Sequence, residues 1–300
     1  MCTSLLLALA LALPAAPARA LDGDGALSLL RETLDPPPAS YSGQLTVTTR
    51  EGGRESTRWI TVEYAPPSSY RREVLDRYGS PELITVSDGR TQWVYDRRSG
   101  RAWRGVPAGD DAGLSDPDEE LDLLTDNYDV RRAATDTVAG LPCQELVVAP
   151  KRGGPPVQRL CVDGEDGLVL RRVVYDADGK ESTRVRFERV DTHPSLRPED
   201  FRLRPPAGTR VLRRRPAPDA LELGEAARMT AMTPRPAAWV PPGYVFESVS
   251  LLPYRGATIL HFRWSDGVDA LSLFQAPPRA RVRPPAGARP VPERVGGADG

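Results

Sequence analysis

The chain has 300 residues with 40 basic and 41 acidic side chains, which gives a formal net charge of −1 at neutral pH. This near-neutral balance excludes the generally basic surface that is typical of nucleic-acid-binding proteins. The length predicts one large domain together with something smaller, and the two histidines, which are far apart in the chain, predict no zinc site.

The chain begins with an apolar run at residues 5–16 that is too short to cross a bilayer as a mature helix. Ala18 and Ala20 stand at the two positions that a signal peptidase reads. We therefore predict a signal peptide over residues 1–20, cleaved before Leu21. Since no later apolar run reaches about 18 residues, the mature chain is expected not to span the membrane.

Residues 21–205 begin with a helical pattern and then change to a strand-like one. Apolar residues recur at helical spacing from Ala26 to Leu34, and Pro36 ends this predicted helix. Short runs rich in Val, Ile, Thr, Tyr and Trp then alternate with turn-forming residues. These predicted strands cover residues 41–50, 57–64, 70–77, 82–87, 91–96 and 101–105. Because the connections are short, we expect an antiparallel meander.

A second helix is predicted to start near Ser115, which can cap it, with Pro117 at an early helical position and acidic residues in the first turn. Further strands follow at residues 143–149, 157–163, 168–175 and 182–190. The large domain is therefore predicted to contain about ten strands and two helices. A sheet of this size usually curls, and helices laid on its concave face would enclose an apolar interior.

The remainder of the chain divides into three parts by composition. Residues 206–236 are rich in Pro and Arg and are predicted to be a linker with a weak helical stretch at 220–232. Residues 237–276 are predicted to form a small β-rich domain, with strands at 245–251, 257–264 and 269–275. Residues 277–300 are Pro-rich and predicted to be a disordered tail.

The predicted small domain has about 40 residues, a length that rarely sustains an independent core. We therefore expect it to lean on the large domain through apolar strand residues. These residues are Phe246, Leu260, Phe262 and Trp264. A strand edge or an apolar rim would remain available to an extended segment of a protein partner.

Cleavage of the signal peptide leaves Cys143 and Cys161 as the two cysteines. In an oxidising compartment such a pair predicts one disulfide bond. The two residues lie in strands joined by the turn-forming segment 150–156, and a hairpin centred on Arg152 would place them directly opposite one another. Two unpaired buried thiols are the alternative at this point.

The sequence contains no side-chain arrangement that predicts catalysis. His193 precedes a proline at a predicted strand end, and His261 alternates with Leu260 and Phe262 in a strand. The acidic residues 118–120 suit the first turn of a helix. We therefore expect a protein with no catalytic residues, no cofactor and no metal.

Three aromatic residues are candidates for a ligand site. Trp59, Trp93 and Tyr95 lie in neighbouring predicted strands, and Trp93 and Tyr95 share one face because they are two residues apart. In a curved sheet they would line an apolar cavity that accepts acyl chains. Ordinary core packing of the same rings is the alternative.

Short motifs at both ends of the mature chain resemble one family. Tyr41-Ser-Gly-Gln44 and Val86-Ser-Asp-Gly-Arg-Thr-Gln-Trp-Val-Tyr-Asp96 resemble the N-terminal domain of the RseB/MucB family. Trp239-Val-Pro-Pro-Gly-Tyr244 and Trp264-Ser-Asp-Gly267 resemble its small C-terminal domain. The resemblance implies an α+β, mainly β fold: a LolA-like curved antiparallel half-barrel with covering helices, followed by a small β-rich domain.

The same resemblance implies a periplasmic regulatory protein that binds the periplasmic segment of an anti-sigma factor and senses a lipid or acylated ligand, in envelope-stress signalling. The alternative is a LolA/LolB-type lipid or lipoprotein carrier without a regulatory partner. Residues 239–275 favour the first role, because a plain carrier is expected to end near residue 205. After Phe274 the family has further strands and a helix, whereas this chain has a Pro-rich tail. No individual contact residue is therefore carried over.

Overall fold

A computed structural model describes residues 23–107, 117–213, 221–230, 232–254, 256–278, 280, 294–295 and 298–299. The predicted signal peptide and its cleavage site lie outside the described residues, as does most of the predicted tail. We refer to residues 23–213 as the large lobe and to residues 221–275 as the small lobe.

Twelve strands of the large lobe form one sheet. They are β1 (Tyr41–Glu51), β2 (Arg54–Ala65), β3 (Ser69–Leu75), β4 (Pro81–Asp88), β5 (Gln92–Asp96), β6 (Arg101–Gly105), β7 (Tyr128–Val138), β8 (Leu141–Pro150), β9 (Gln158–Asp163), β10 (Val169–Tyr175), β11 (Glu181–Asp191) and β12 (Arg210–Arg213). The spatial order is β12-β6-β5-β4-β3-β2-β1-β11-β10-β9-β8-β7. Strand β12 pairs with β6 in parallel, and the other neighbours are antiparallel. The predicted antiparallel, mainly β fold is confirmed.

Two helices, α1 (Gly23–Leu34) and α2 (Pro117–Asn127), contribute apolar side chains to one face of this sheet. Ala26, Leu29 and Leu30 recur at helical spacing on α1 and are buried in one core cluster with Leu124 of α2 and Leu160 of β9. The helices therefore cover part of the sheet by burying a single apolar stripe each. Among the residues that the structure describes, no helix has the length and apolar character needed to cross a membrane.

Side chains alternate between the two faces along each strand, and the two faces differ in character. Leu45 on β1 pairs with Ile60 on β2, and both face the helices. The opposite face carries ion pairs. Arg171, for example, lies 2.7 Å from a carboxylate oxygen of Asp136 and 3.2 Å from one of Glu145. This alternation produces an apolar inner face, which we call concave, and a charged outer face, which we call convex.

The predicted disulfide bond between Cys143 and Cys161 is confirmed, and both residues are buried between strands β8 and β9. The register differs from the directly opposed arrangement, because Cys143 pairs with Asp163 and Cys161 pairs with Glu145. The bond therefore runs diagonally across the hairpin, with the two Cα atoms 5.4 Å apart. A sequence separation of 18 residues corresponds to roughly 3 kcal/mol in the chain-entropy model.

The small lobe consists of a three-stranded antiparallel sheet and a short helix. These elements are α3 (Leu223–Met229), β13 (Val245–Tyr254), β14 (Ala257–Ser265) and β15 (Ala270–Gln275). Ala226 of α3 is buried against Val249, Leu260 and Phe262, so the lobe has a core of its own. In the tail, β16 (Arg294–Val295) and β17 (Ala298–Asp299) form a short antiparallel ladder.

Part of the segment predicted as a linker belongs to the two sheets. Residues 210–213 form β12 at the edge of the large sheet. Leu221 forms an isolated antiparallel bridge to Val249 and α3 packs on β13, so residues 221–229 belong to the small lobe. Strand β7 was also not predicted, because it starts directly after α2 without a turn residue and most of its side chains after Val130 are exposed.

Candidate functional site

A cavity of about 640 Å³ lies between the concave face of the large sheet and the helices α1 and α2. This volume is within the range of small-molecule sites in proteins, which is about 300 to 1,000 Å³. The wall formed by strands β1, β2 and β11 is apolar. Its residues are Leu45, Val47, Ile60, Val62, Val185 and Phe187. The facing wall is formed by Leu30 and Leu34 of α1 and Leu124 of α2.

A few polar groups stand on this apolar background. Arg72 of β3 and Arg172 of β10 both line the cavity. The Arg172 guanidinium donates to the side-chain oxygen of Gln158, which is itself buried. Asp35 also lines the cavity, and its carboxylate accepts a hydrogen bond of 2.6 Å from the Arg31 guanidinium. An apolar chamber with a small number of oriented polar groups is typical of sites that bind amphiphilic molecules.

The three aromatic residues predicted to line a cavity lie on the other face of the sheet, which corrects that assignment. Trp59 precedes Ile60, which lines the cavity, so the Trp59 ring points away from it and is 43% exposed. Trp93 and Tyr95 are likewise on the convex side, where Arg104 stacks over the Trp93 ring at 5.4 Å from its centroid. The cavity wall is therefore mostly aliphatic, and the aromatic residues that line it are Tyr41 and Phe187 instead of the three predicted ones.

The small lobe completes this cavity through the turn between β14 and β15, which we call the Asp266 turn (residues 266–269). Gly267 and Val268 of this turn line the cavity, and Val268 packs against the core cluster beneath the helices. Asp266 is 7% exposed, and its Oδ1 accepts hydrogen bonds from the backbone N–H groups of Val268 (3.0 Å) and Asp269 (2.7 Å). A tight Asx turn thus presents Val268 to the large lobe.

The junction between α2 and β7 receives the turn. The Tyr128 hydroxyl donates to Asp266 Oδ2 at 2.5 Å in a buried contact. Asn127 Nδ2 lies 3.0 Å from the carbonyl oxygen of Gly243 and 3.1 Å from that of Asp266. Because no residue separates α2 from β7, both side chains lie at the helix end that faces the small lobe.

Gly267 brings the backbone of the small lobe close to the backbone of α2. Its φ of +92° lies in the left-handed region, and an added Cβ would lie 2.5 Å from the Leu124 Cα atom. A larger residue would therefore meet the backbone of α2 and push the turn away. On the β8–β9 hairpin, the Arg152 guanidinium donates to the carbonyl oxygen of Pro242 and adds a further contact between the lobes.

Burial and nearby carboxylates affect the tyrosines at this junction. Burial, followed by the hydrogen bond to Asp266, raises the pKa of Tyr128 well above the usual range. Burial, together with Asp266 and Asp269, raises the pKa of Tyr244 to about 12. Tyr128 therefore remains a hydroxyl donor to the Asp266 carboxylate across the physiological range.

The four residues that were expected to pack against the large lobe lie within the small lobe instead. Leu260, Phe262 and Trp264 are buried in the core of the small lobe itself, and Phe246 is 39% exposed with its ring 5.6 Å from that of Trp264. This corrects the expectation that they lean on the large lobe, because α3 and the segment before β13 cover them. The Trp264-Ser-Asp-Gly267 motif contains the start of the Asp266 turn, but the docking of this turn depends on Tyr128, which lies in the large lobe and which the motif does not reveal.

A long antiparallel sheet curved around an apolar cavity, with two helices on its inner side, is the mainly β half-barrel that the sequence predicts, and a small three-stranded lobe is added to it. Residues 84–205 match the family model described as the MucB/RseB N-terminal domain. This part of the chain is therefore similar to the MucB/RseB N-terminal domain, and the predicted resemblance is confirmed.

Solved structures show a similar fold. The crystal structure of MucB has 21% identity and a TM-score of 0.50, covering 84% of this chain and 79% of that chain. The Pseudomonas aeruginosa MucA/MucB complex has 20% identity and a TM-score of 0.55, covering 83% and 79%. MucB in complex with MucA(peri) has 20% identity and a TM-score of 0.55, covering 92% and 85%. Each of these structures covers a larger share of this chain than the large lobe alone occupies.

A curated relative aligns with a smaller part of the chain. The outer-membrane lipoprotein carrier protein of Dechloromonas aromatica (strain RCB) is 24% identical over 176 residues, which is 55% of this chain and 76% of the carrier. The descriptions of these relatives are those of a carrier and of protein complexes, and none of them names a catalytic activity.

Proposed function

We propose that this chain is a periplasmic, non-enzymatic regulatory protein. It binds the periplasmic segment of an anti-sigma factor and holds a lipid or another amphiphile in the cavity of the large lobe. The observation that carries the proposal is the Asp266 turn, through which the small lobe completes the wall of the cavity. A site built by both lobes allows a ligand in one lobe to influence a partner bound at the other.

The amphiphile is supported by the chemistry of the cavity. Burial of a methylene group contributes about 0.8 kcal/mol, so an acyl chain placed among Leu45, Ile60 and Val185 gains affinity with its length. Arg72 and Arg172 line the same cavity, and guanidinium groups bind carboxylate or phosphate oxygens well. An acyl chain with an anionic headgroup therefore matches the composition of this cavity.

The protein partner is supported by the extent of the fold similarity. MucB was solved with MucA(peri), and that complex covers 92% of this chain, including much of the small lobe. The periplasmic location is supported by the signal-peptide pattern before Leu21 and by the disulfide between Cys143 and Cys161, since such bonds persist in oxidising compartments.

A lipid or lipoprotein carrier without a regulatory partner is the second candidate. It is favoured by the match to the outer-membrane lipoprotein carrier protein of Dechloromonas aromatica. That match covers 55% of this chain, however, which is less than the share occupied by the large lobe. The MucB structures cover larger shares of this chain, up to 92%, and the small lobe therefore favours the regulatory role.

The two functions are separated by a binding experiment with the mature chain. The periplasmic segment of an anti-sigma factor from the same genome is titrated into the protein by calorimetry, with a scrambled segment of equal length as the control. A stoichiometric complex that protects the segment from proteolysis is the expected result. Absence of a complex in a protein that still binds a fatty acid would reject the regulatory role and favour the carrier.

A further inference from the structure

We infer that the Asp266 turn is a displaceable wall, and that an apolar chain too long for the main cavity moves this turn off its seat on α2. The inference rests on the proposed amphiphile site and adds a mechanism by which occupancy changes the position of the small lobe. Two observations support it: a separate chamber lies on each side of Val268, and the contacts that hold the turn in place are few.

A second chamber of about 600 Å³ lies next to the main cavity. It is formed by the β8–β9 hairpin around Gly153 and Pro155, by Tyr175 on β10, and by Val268 and Asp269 of the turn. The two chambers share Gln158, Arg172 and Val268 among their lining residues. An elongated ligand that outgrows the main cavity therefore reaches the second chamber at the position of Val268.

The turn rests on the end of α2 and the first residue of β7 through a small set of contacts. Apart from Val268, these are polar or backbone contacts: the Tyr128 hydroxyl to Asp266, the Asn127 amide to carbonyl oxygens, and Gly267 against α2. Water can replace hydrogen bonds of this kind when the lobes separate, so their net contribution is modest. An acyl chain that takes the place of Val268 restores the apolar contact that the turn gives up.

Movement of the turn leaves the two cores intact. The small lobe is held together by Phe262, Leu260 and Val249, which are fully buried away from the large lobe, and the cavity wall on β1 and β11 belongs to one sheet. The small lobe can therefore change its position as a unit while each lobe remains folded. A long chain would shift the population toward the displaced state because only that state joins the second chamber to the main cavity at Val268.

Hydrogen exchange of the full mature chain tests this inference directly. The backbone amides of Val268 and Asp269 donate to Asp266 Oδ1 in the seated turn, and their exchange is followed by mass spectrometry. Hexadecanoate is expected to increase their exchange, whereas octanoate, which fits the main cavity, is expected to leave it unchanged. Binding of hexadecanoate without any change at these amides would overturn the inference while leaving the amphiphile site standing.

A matched pair of glycine variants supplies the second readout. Gly267→Ala places a Cβ against the α2 backbone, whereas Gly256→Ala changes a glycine with a similar positive φ and no neighbour within 4 Å. If the seated state holds about nine-tenths of the molecules, Gly267→Ala should tighten hexadecanoate binding by up to about tenfold. Octanoate binding should not tighten, and Gly256→Ala should affect neither ligand. Equal effects of the two variants would contradict the inference.

Tyr128→Phe provides a check if Gly267→Ala does not fold. It removes the hydroxyl that reaches Asp266 and retains the ring, so it should tighten hexadecanoate relative to octanoate in the same direction. An unchanged ratio of the two affinities would count against the displaceable turn. If neither fatty acid binds the wild-type chain, the proposed amphiphile site itself is refuted and this inference falls with it.

Discussion

The most direct test of the cavity is to fill it from the β1 strand. Val47 is half-buried, lines the cavity and pairs with Val185, which lines it too. Val47→Phe places an aromatic ring in the space that an acyl chain is proposed to occupy. Because the cavity is open beside Val47, we expect the ring to be accommodated with a loss of stability no larger than the roughly 1–3 kcal/mol typical of overpacked cores.

The expected loss of affinity follows from the volume that the ring takes. Phenylalanine has about four more side-chain carbon atoms than valine, so the ring displaces roughly four methylene groups of a bound chain. At about 0.8 kcal/mol for each buried methylene, the loss is about 3 kcal/mol, which is a weakening on the order of a hundredfold. The measurement is a calorimetric titration of dodecanoate into the wild type and the variant, with thermal unfolding to confirm that both are folded.

Trp59→Ala is the matched control, because this ring lies on the convex face and is 43% exposed. We expect dodecanoate affinity to stay within a factor of about two of the wild type, since surface substitutions usually change free energies by less than about 0.5 kcal/mol. A folded Val47→Phe variant with wild-type affinity would refute the cavity as the ligand site. Loss of affinity in Trp59→Ala alone would instead restore the sequence-based assignment of the aromatic residues.

Two further predictions concern stability. Phe262→Ala should destabilise the small lobe by roughly 3–5 kcal/mol, because Phe262 is fully buried. Phe274→Ala on the next strand should change the stability by less than about 1 kcal/mol, because Phe274 is 53% exposed. Urea unfolding of each variant measures the difference. The raised pKa of Tyr244 favours the folded state below the ordinary tyrosine value of 10.0, and this contribution is lost as the pH rises to about 12. Urea unfolding at stepped alkaline pH should therefore show a smaller decline in Tyr244→Phe than in the wild type.

Much of the architecture could be predicted because strand and helix periods are local properties of the chain. The runs at residues 41–105 became β1 to β6 with boundaries shifted by a few residues, since alternating Val, Thr and aromatic residues between Gly and Pro turns specify antiparallel strands. The Cys143–Cys161 bond could also be predicted, because two thiols on neighbouring strands lie close in either register.

Elements whose formation or position depends on contacts with distant parts of the chain could not be predicted in full. Strand β7 has few buried residues after Val130, and β12 is a four-residue strand in an Arg-rich segment whose pairing with β6 depends on where the large sheet ends. The helix α3 lies within the predicted weak helical stretch 220–232, but its place in the small lobe comes from packing on β13. For β7 and β12 the sequence lacks a periodic signal, because the stabilising contacts come from residues far away in the chain.

The sequence by itself was sufficient to predict the fold class: a curled antiparallel sheet with two covering helices, one disulfide and a small β-rich addition. Only the tertiary structure decided which face of the sheet is concave, and hence that Ile60, not Trp59, meets the cavity. It also decided that Asp266 docks on Tyr128. The physical reason is that alternation assigns residues to two faces without saying which face is inside, and that a turn docks wherever the rest of the fold places a matching donor.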